Sequence, residues 1–524
     1  MVFSSFVFIV LFLPVTIVGF WLLSTLGHGL SKIWLCLTSL FFYGWWDIEW
    51  VPVLLLSVTF NYLIGHAIIS RANADRSTGG LLLAGVLTNL GALIYYKYLF
   101  SVMQLFGAET LMPMPRGLPL GISFFTFTQM AFLVDVSQGF RERYSPINYL
   151  LFVTFFPHLI AGPIVHHRDL MPQFEDDKNY CFQPTEFAVG LVIFSIGLAK
   201  KTLIADNVGR VADQILDLGR VSTHIAWVGV LAYSMQLYFD FSGYSDMAIG
   251  LARLFGIKFP INFASPYKSL SIIEFWQRWH ITLTRFLTSY LYNPIALRLV
   301  RRRATAGQAT SKRASQTVSG FLELIALPTL ITMLIAGIWH GAGLQFVIFG
   351  ALHGFYISVN HAWRTFGRKT SWRLPQFAKT IASGALVYLC VIIAQIFFRA
   401  HSAGDAIAVL SDMFFVHAIS ERSCWTGLVT CAQSISLPSL PLPEPVVSPL
   451  DLLVVAGSMV IAWLAPNTQQ IMANYDPVLD LGRRIEGSYI KAQLSSGWAV
   501  AFGVILFLGL FSIRDGQPFI YFQF

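Results

Sequence analysis

The chain has 524 residues, 55% of them hydrophobic and 12% charged, with a formal net charge of +8. A soluble domain carries roughly 25% charged residues, so this balance, in long continuous apolar runs, predicts an all-α polytopic membrane protein and excludes a closed β-barrel, whose strands would alternate. The positive charge is read as the Lys/Arg bias of cytoplasmic loops, and no nucleic-acid partner is invoked.

Residues 3–26 form the first apolar run. It lacks a basic flank and is long for a signal peptide, so a retained helix is expected. Runs 34–46, 50–69, 81–100 and 118–136 follow, with Lys32, Arg71 and Arg76, and Arg141 and Arg143 between them. Placing those basic loops inside puts the N-terminus outside. Run 149–165 is interrupted by Pro157, His158, Gly162 and Pro163. It reads equally as a re-entrant element or a simple proline kink. His166 and His167 are adjacent, would point in different directions on a helix, and are not read as a metal site. Five cysteines show no metal-ligand pattern with histidine. Only Cys424 and Cys431 share a predicted loop, and whether they pair is left open.

Run 187–198 ends at Lys200 and Lys201, and run 225–237 continues into Tyr238-Phe239-Asp240-Phe241-Ser242-Gly243-Tyr244-Ser245-Asp246-Met247. Asp240 and Tyr244 are i,i+4 neighbours, as are Ser242 and Asp246. Carboxylates at the end of an apolar helix must pair, face water or be protonated. Asp246 is read as an internal polar clamp, Asp240 as a group that could reach a reaction chamber. Then comes Glu274-Phe275-Trp276-Gln277-Arg278-Trp279-His280. Along 274–290 a helix is expected to pair Glu274 with Arg278 and to set Trp276 and His280 on one face. It suits an interfacial or re-entrant helix with aromatic anchors, or an amphipathic helix on the membrane with His280 at its polar edge.

Arg298, Arg301, Arg302, Arg303, Lys312 and Arg313 make the most basic loop, and Arg364, Arg368, Lys369 and Arg373 make another. Both are read as inside and orientation-setting, although the first could also meet donor phosphates. Segment 321–363 therefore enters the membrane and returns to the same side, with Ile338-Trp339-His340-Gly341-Ala342-Gly343 at its apex. A histidine at that depth faces a bundle interior or a wet cavity; on the hexapeptide alone, a hydrogen-bonded structural role is as good a reading. Run 377–398 crosses outward, 401–449 is an outside loop, and 452–464 returns and is short for a span. Arg483, Arg484 and Lys491 mark the inside again, and 499–511 exits to leave 519–524 outside.

The three quoted stretches, in this order, resemble the membrane-bound O-acyltransferase family, more narrowly its bacterial branch that acetylates exported polysaccharides. The resemblance extends to Met1-Val2-Phe3-Ser4-Ser5, Pro119-Leu120-Gly121-Ile122-Ser123-Phe124, Phe156-Pro157-His158-Leu159-Ile160-Ala161-Gly162-Pro163 and Phe519-Ile520-Tyr521-Phe522-Gln523-Phe524. It implies one membrane domain over 1–524, with re-entrant helices around a central tunnel. Residues 1–140 would be N-terminal helices, 141–373 the catalytic core, and 374–524 C-terminal helices carrying the 401–449 loop. It further implies acetyl-CoA as cytoplasmic donor substrate, with no tightly bound cofactor and no metal. The acetyl group would cross a bacterial inner membrane to an exported alginate-, cellulose- or peptidoglycan-like polysaccharide, or to a periplasmic SGNH-type acetyltransferase partner. Membrane lipids surround the protein. D-alanyl transfer to a cell-wall polymer is the enzymatic alternative, and a non-catalytic acyl or glycan transporter is an alternative of another class.

Moving an acyl group from a thioester to a hydroxyl needs a base, donors for the oxyanion, and exclusion of water. Imidazole, with an unperturbed pKa of about 6.5, suits the base. No Gly-x-Ser-x-Gly elbow, phosphate-binding loop or dinucleotide fingerprint appears, so direct transfer through histidine is simpler than a serine triad. His340 is expected as the base and His280 as a proton relay or positioning group. Trp339, Trp276, Gln277, Arg278, Asp240, Tyr244 and His158 are expected near the substrates, with packing an equal role for Trp339.

Overall fold

The computed structural model describes residues 1–99, 103, 117–218, 220–311, 313–367, 375–414, 447–479, 481–482, 487–514 and 519–520. Every element among them is helical. Six helical stretches are long and apolar enough to cross a membrane: Val7–Ser24, Ile48–Asn73, Gly79–Tyr98, Pro184–Leu216, Val318–His340 and Gln376–Arg399. Ile122–Ser137, Pro449–Leu464 and Ser496–Phe511 are shorter apolar helices. The chain is a multi-pass membrane protein. Lys312, Arg368, Lys369, Arg373, Cys424, Cys431, Arg483, Arg484, most of the 401–449 loop and the last four residues of the aromatic tail lie outside the described residues.

The molecule is built around the 32-residue helix Thr223–Leu254, buried on all sides from Leu237 to Leu254. Small residues let a neighbour come close. A Cβ on Gly243 would sit 2.8 Å from the Gly197 carbonyl oxygen, and one on Gly250 would sit 2.6 Å from that of Gly190. Helix Pro184–Ala199 therefore packs backbone to backbone against it, as membrane helices with small-residue faces do.

Charges buried in this contact are paired, as they must be at low dielectric. Asp246 accepts from Lys200 Nζ at 2.5 Å, Thr468 Oγ1 at 2.6 Å and Gln469 Nε2 at 2.8 Å, the internal clamp its position suggested. Asp240 pairs with Lys201 at 2.6 Å and accepts the Ile520 N–H at 2.8 Å. Its carboxylate is thus engaged between two elements, not turned to a chamber. The Tyr244 ring is sandwiched between Phe3 and Phe519, centroids 4.7 and 4.4 Å away.

The interrupted run 149–165 breaks at Phe155, between helices Pro146–Thr154 and Phe156–Leu159. Ser39 Oγ accepts the Phe156 N–H freed there, at 3.1 Å. The run expected as one helix over 274–290 is also broken, into Ile272–Arg278 and Ile281–Leu287. Between them His280 takes a left-handed conformation, φ 41°. Segment 262–264 imposes the break: the Ala264 N–H donates to the Arg278 carbonyl at 2.9 Å and the Ile281 N–H to that of Asn262 at 2.9 Å. Trp276 and His280 therefore do not share a helical face, although Glu274 and Arg278 pair as expected at 3.0 Å.

Helices Leu327–His340 and Leu344–Phe366 form a tight hairpin. A Cβ on Gly350 would meet the Met333 carbonyl oxygen at 2.3 Å, and one on Gly337 that of Phe346 at 2.3 Å. Glycine at both positions permits the close approach, and the hairpin carries His340 at its turn.

Candidate active site

His340 is the last residue of helix Leu327–His340 and is 6% exposed. The final carbonyls of a helix lack intrahelical partners. Here they are capped from another helix: Lys97 Nζ donates to the Trp339 and His340 oxygens at 2.7 and 3.0 Å, and Tyr98 Oη to that of Ile338 at 2.8 Å. A cation at a helix C-terminus also suits the helix dipole. Lys97 was not among the expected site residues. Its signal was a lone charge inside an apolar run.

The imidazole of His340 stands edge-on to Phe349 and Phe398, centroids 5.7 and 5.1 Å away. The residue lines two cavities. The first, about 30 Å³, also receives His280 and His353 and is walled by Trp276, Trp279 and Phe398. That volume holds roughly one or two waters. The second, about 140 Å³, is lined by Lys97, Trp46, Gly121, Phe124 and Trp339 as well as His340. A third and much larger vestibule, about 1470 Å³, carries five basic side chains, Lys258, Arg278, Arg285, Arg364 and Lys491, against two acidic ones, Glu274 and Asp476. Helix Ile272–Arg278 is the partition. Its Gln277 and Arg278 line the vestibule, while Phe275 and Trp276 line the small cavity.

Two histidines of the small cavity are oriented from behind. His280 Nδ1 lies 3.0 Å from Asn262 Oδ1, and its Nε2 is buried with no hydrogen-bond partner among the described residues. His353 Nδ1 accepts from Trp276 Nε1 at 3.2 Å. His353, 2% exposed, was also missed by sequence reasoning. Its signal was a histidine inside the second apolar run of the hairpin. Of the expected residues, His340, His280 and Trp276 meet at this cavity, Trp339 lines the second, and Gln277 and Arg278 line the vestibule. Asp240, Tyr244 and His158 line none of the three. His158 packs edge-on to Phe259, 5.6 Å between centroids. Among the described residues no group of three or more His, Cys, Asp or Glu is placed to hold a metal ion.

Three buried histidines thus line one small cavity, and a vestibule rich in basic side chains lies on the other side of helix Ile272–Arg278. The family model for membrane-bound O-acyltransferases matches residues 46–310. The chain belongs to the membrane-bound O-acyltransferase family. It is 39% identical to the peptidoglycan O-acetyltransferase of Helicobacter pylori, over 80% of this chain and 81% of that one. It is 36% identical to the probable alginate O-acetylase AlgI of Pseudomonas aeruginosa, over 79% and 75%. A more distant relative is the teichoic acid D-alanyltransferase of Streptococcus thermophilus, 27% identical over 47% of this chain and 57% of that one. In this membrane-bound O-acyltransferase both stretches that wall the small cavity on the His280 side fall within the matched region, and His340 and His353 lie beyond it.

Proposed function

We propose that this enzyme moves an acetyl group from cytoplasmic acetyl-CoA across a bacterial inner membrane for O-acetylation of an exported polysaccharide, with His340 as general base. The observation that carries this reading is that His340 borders both cavities. A donor at one and an acceptor at the other would meet at this one residue. The basic loops place the vestibule, with Arg364 and Lys491, on the cytoplasmic side, where its cations suit the phosphates of coenzyme A. The same charge register assigns the second cavity, lined by Trp46, Lys97 and Leu118, to the outer side.

His340 takes the proton of the acceptor hydroxyl as its oxygen attacks the thioester carbonyl carbon. The carbon–sulfur bond breaks, and the thiolate leaves with the proton from the imidazolium. His280 serves as relay. Two features favour acetyl over the D-alanyl group handled by the more distant relatives. The small cavity is sized for a short acyl group, and no carboxylate lines it among the described residues. An alanyl ammonium would be buried unpaired there, at a penalty of several kcal/mol. The named substrates of two relatives, peptidoglycan and alginate, support a carbohydrate outside the membrane as final acceptor. A separate periplasmic acetyltransferase of SGNH type docks at the outer mouth and completes delivery.

The test is thiol release from acetyl-CoA by the purified protein in nanodiscs, with transfer of radiolabel to a glycan followed with and without periplasmic extract. His340-dependent release is expected. No release by the wild type, or release only from a D-alanyl carrier thioester, would overturn the reading. Efficient glycan labelling without extract would remove the partner.

A further inference from the structure

His280 and His353 face one cavity, and each is held by a partner that fixes where its proton sits. Asn262 Oδ1 already receives the Thr282 hydroxyl at 2.9 Å. The Thr282 backbone N–H, which can only donate, also points at that oxygen, at 3.4 Å. Asn262 Nδ2 in turn donates to Ser245 Oγ at 3.0 Å. The amide orientation is therefore set by its neighbours, and an amide oxygen can only accept. His280 Nδ1 must carry the proton, and the neutral ring presents a bare Nε2, the atom that has no partner. At His353 the logic is reversed. An indole N–H can only donate, so the Nδ1 facing Trp276 is bare and the proton lies on Nε2.

We propose that His353 is a further catalytic residue of the acyl transfer. Its Nε2–H, fixed by Trp276, donates to the acyl carbonyl oxygen, opposite a His280 that Asn262 fixes as a proton acceptor. As the hydroxyl oxygen bonds to the carbonyl carbon, the C=O π pair moves onto oxygen, and the His353 N–H stabilises that charge without transferring its proton. When the carbon–sulfur bond breaks, the pair returns. The neutral His280 ring cannot take this role, because its bare Nε2 would repel an oxyanion, whereas it can receive the proton gathered at His340 and pass it on to the leaving thiolate. Asn262 and Trp276 are positioning residues: each acts through the ring it orients. The assignment rests on the reading that an acyl thioester reacts at this cavity, but the proton positions do not.

Two measurements test it. The first is nitrogen NMR of histidine-labelled protein in nanodiscs, with the His353 signals assigned from the His353→Gln difference spectrum and those of His280 from His280→Gln. His353 is expected protonated at Nε2 alone and His280 at Nδ1 alone, and Trp276→Phe should leave His353 a mixture of both forms. The opposite tautomers, or no response to Trp276→Phe, would overturn the proposal. The second compares His353→Leu, which has no donor, with His353→Gln, which has one. Loss of one oxyanion donor typically lowers kcat by about 10²–10³. His353→Leu should fall by that factor with KM within a few-fold, and His353→Gln should recover to within about tenfold of wild type. A His353→Leu enzyme that keeps more than about a tenth of kcat, or equal impairment of both variants at wild-type melting temperature, would refute the donor role. If wild-type protein releases no thiol from acetyl-CoA, the acetyl-CoA reading fails, while the NMR result still decides the proton positions.

Discussion

The Lys97 ammonium holds the main-chain oxygen of His340 at 3.0 Å, across 243 residues of chain. The contact ties the proposed base to a helix of the N-terminal group and, together with Tyr98 Oη, closes a buried helix end.

Lys97→Met should therefore damage the site without touching any imidazole. It leaves the Trp339 and His340 carbonyls without their cation, and a hydrogen bond to a charged group is worth about 1.5–3 kcal/mol. The expected outcome is normal insertion, a lower melting temperature and at least a tenfold loss of transfer. Lys97→Arg should retain more of both. Unchanged transfer in Lys97→Met, at matched membrane level, would show that the cap is dispensable.

His340→Ala should insert normally and nearly abolish transfer, since losing a general base typically costs about 10²–10⁴ in rate. His280→Ala should be equally or less damaging. Transfer measured at matched protein levels decides the ranking. If His340→Ala keeps more than about a tenth of the wild-type rate, His340 is structural.

Neutralising the vestibule should weaken donor binding and spare chemistry. Arg364→Gln with Lys491→Gln removes two of its five basic groups. Partly exposed ion pairs contribute about 0.2–1 kcal/mol each, so KM for acetyl-CoA should rise roughly three- to tenfold with kcat nearly unchanged. Added salt should raise the wild-type KM and affect the double variant less. A fall in kcat at constant KM would separate the vestibule from the donor.

Orientation can be read by labelling. With the native cysteines replaced by serine, a cysteine introduced at Ser311 should resist an impermeant maleimide in intact cells, and one at Gly404 should react. Both positions are exposed, so their difference reports the side of the membrane. Labelling at Ser311 and protection at Gly404 would invert the assignment.

The helical runs and the position of His340 at a hairpin turn were legible because both depend on nearest-neighbour chemistry: apolar length, flanking arginines and glycines at the turn. What escaped depends on partners far along the chain. The break at His280 is imposed by segment 262–264 against the preference of 274–290 for a continuous helix. Asp240 was read as able to reach a chamber because its partners Lys201 and Ile520 belong to other elements. Lys97 was the one charged residue of run 81–100, and His353 the one histidine of run 344–359. What each one does is visible only once Trp339 and Trp276 stand beside them.

The sandwich of Tyr244 between Phe3 and Phe519 sets an order on assembly. Its two outer rings are separated by almost the whole chain, so during synthesis the central helix carries Tyr244 with one face uncovered until the last segment emerges. Asp240 likewise waits for the Ile520 N–H. Up to that moment Lys201 must hold the carboxylate without that donor, within helices already inserted in the bilayer. The final closure of the core is thus a late, post-insertional event, and a chain stopped before residue 519 would be left with an open seam along its central helix.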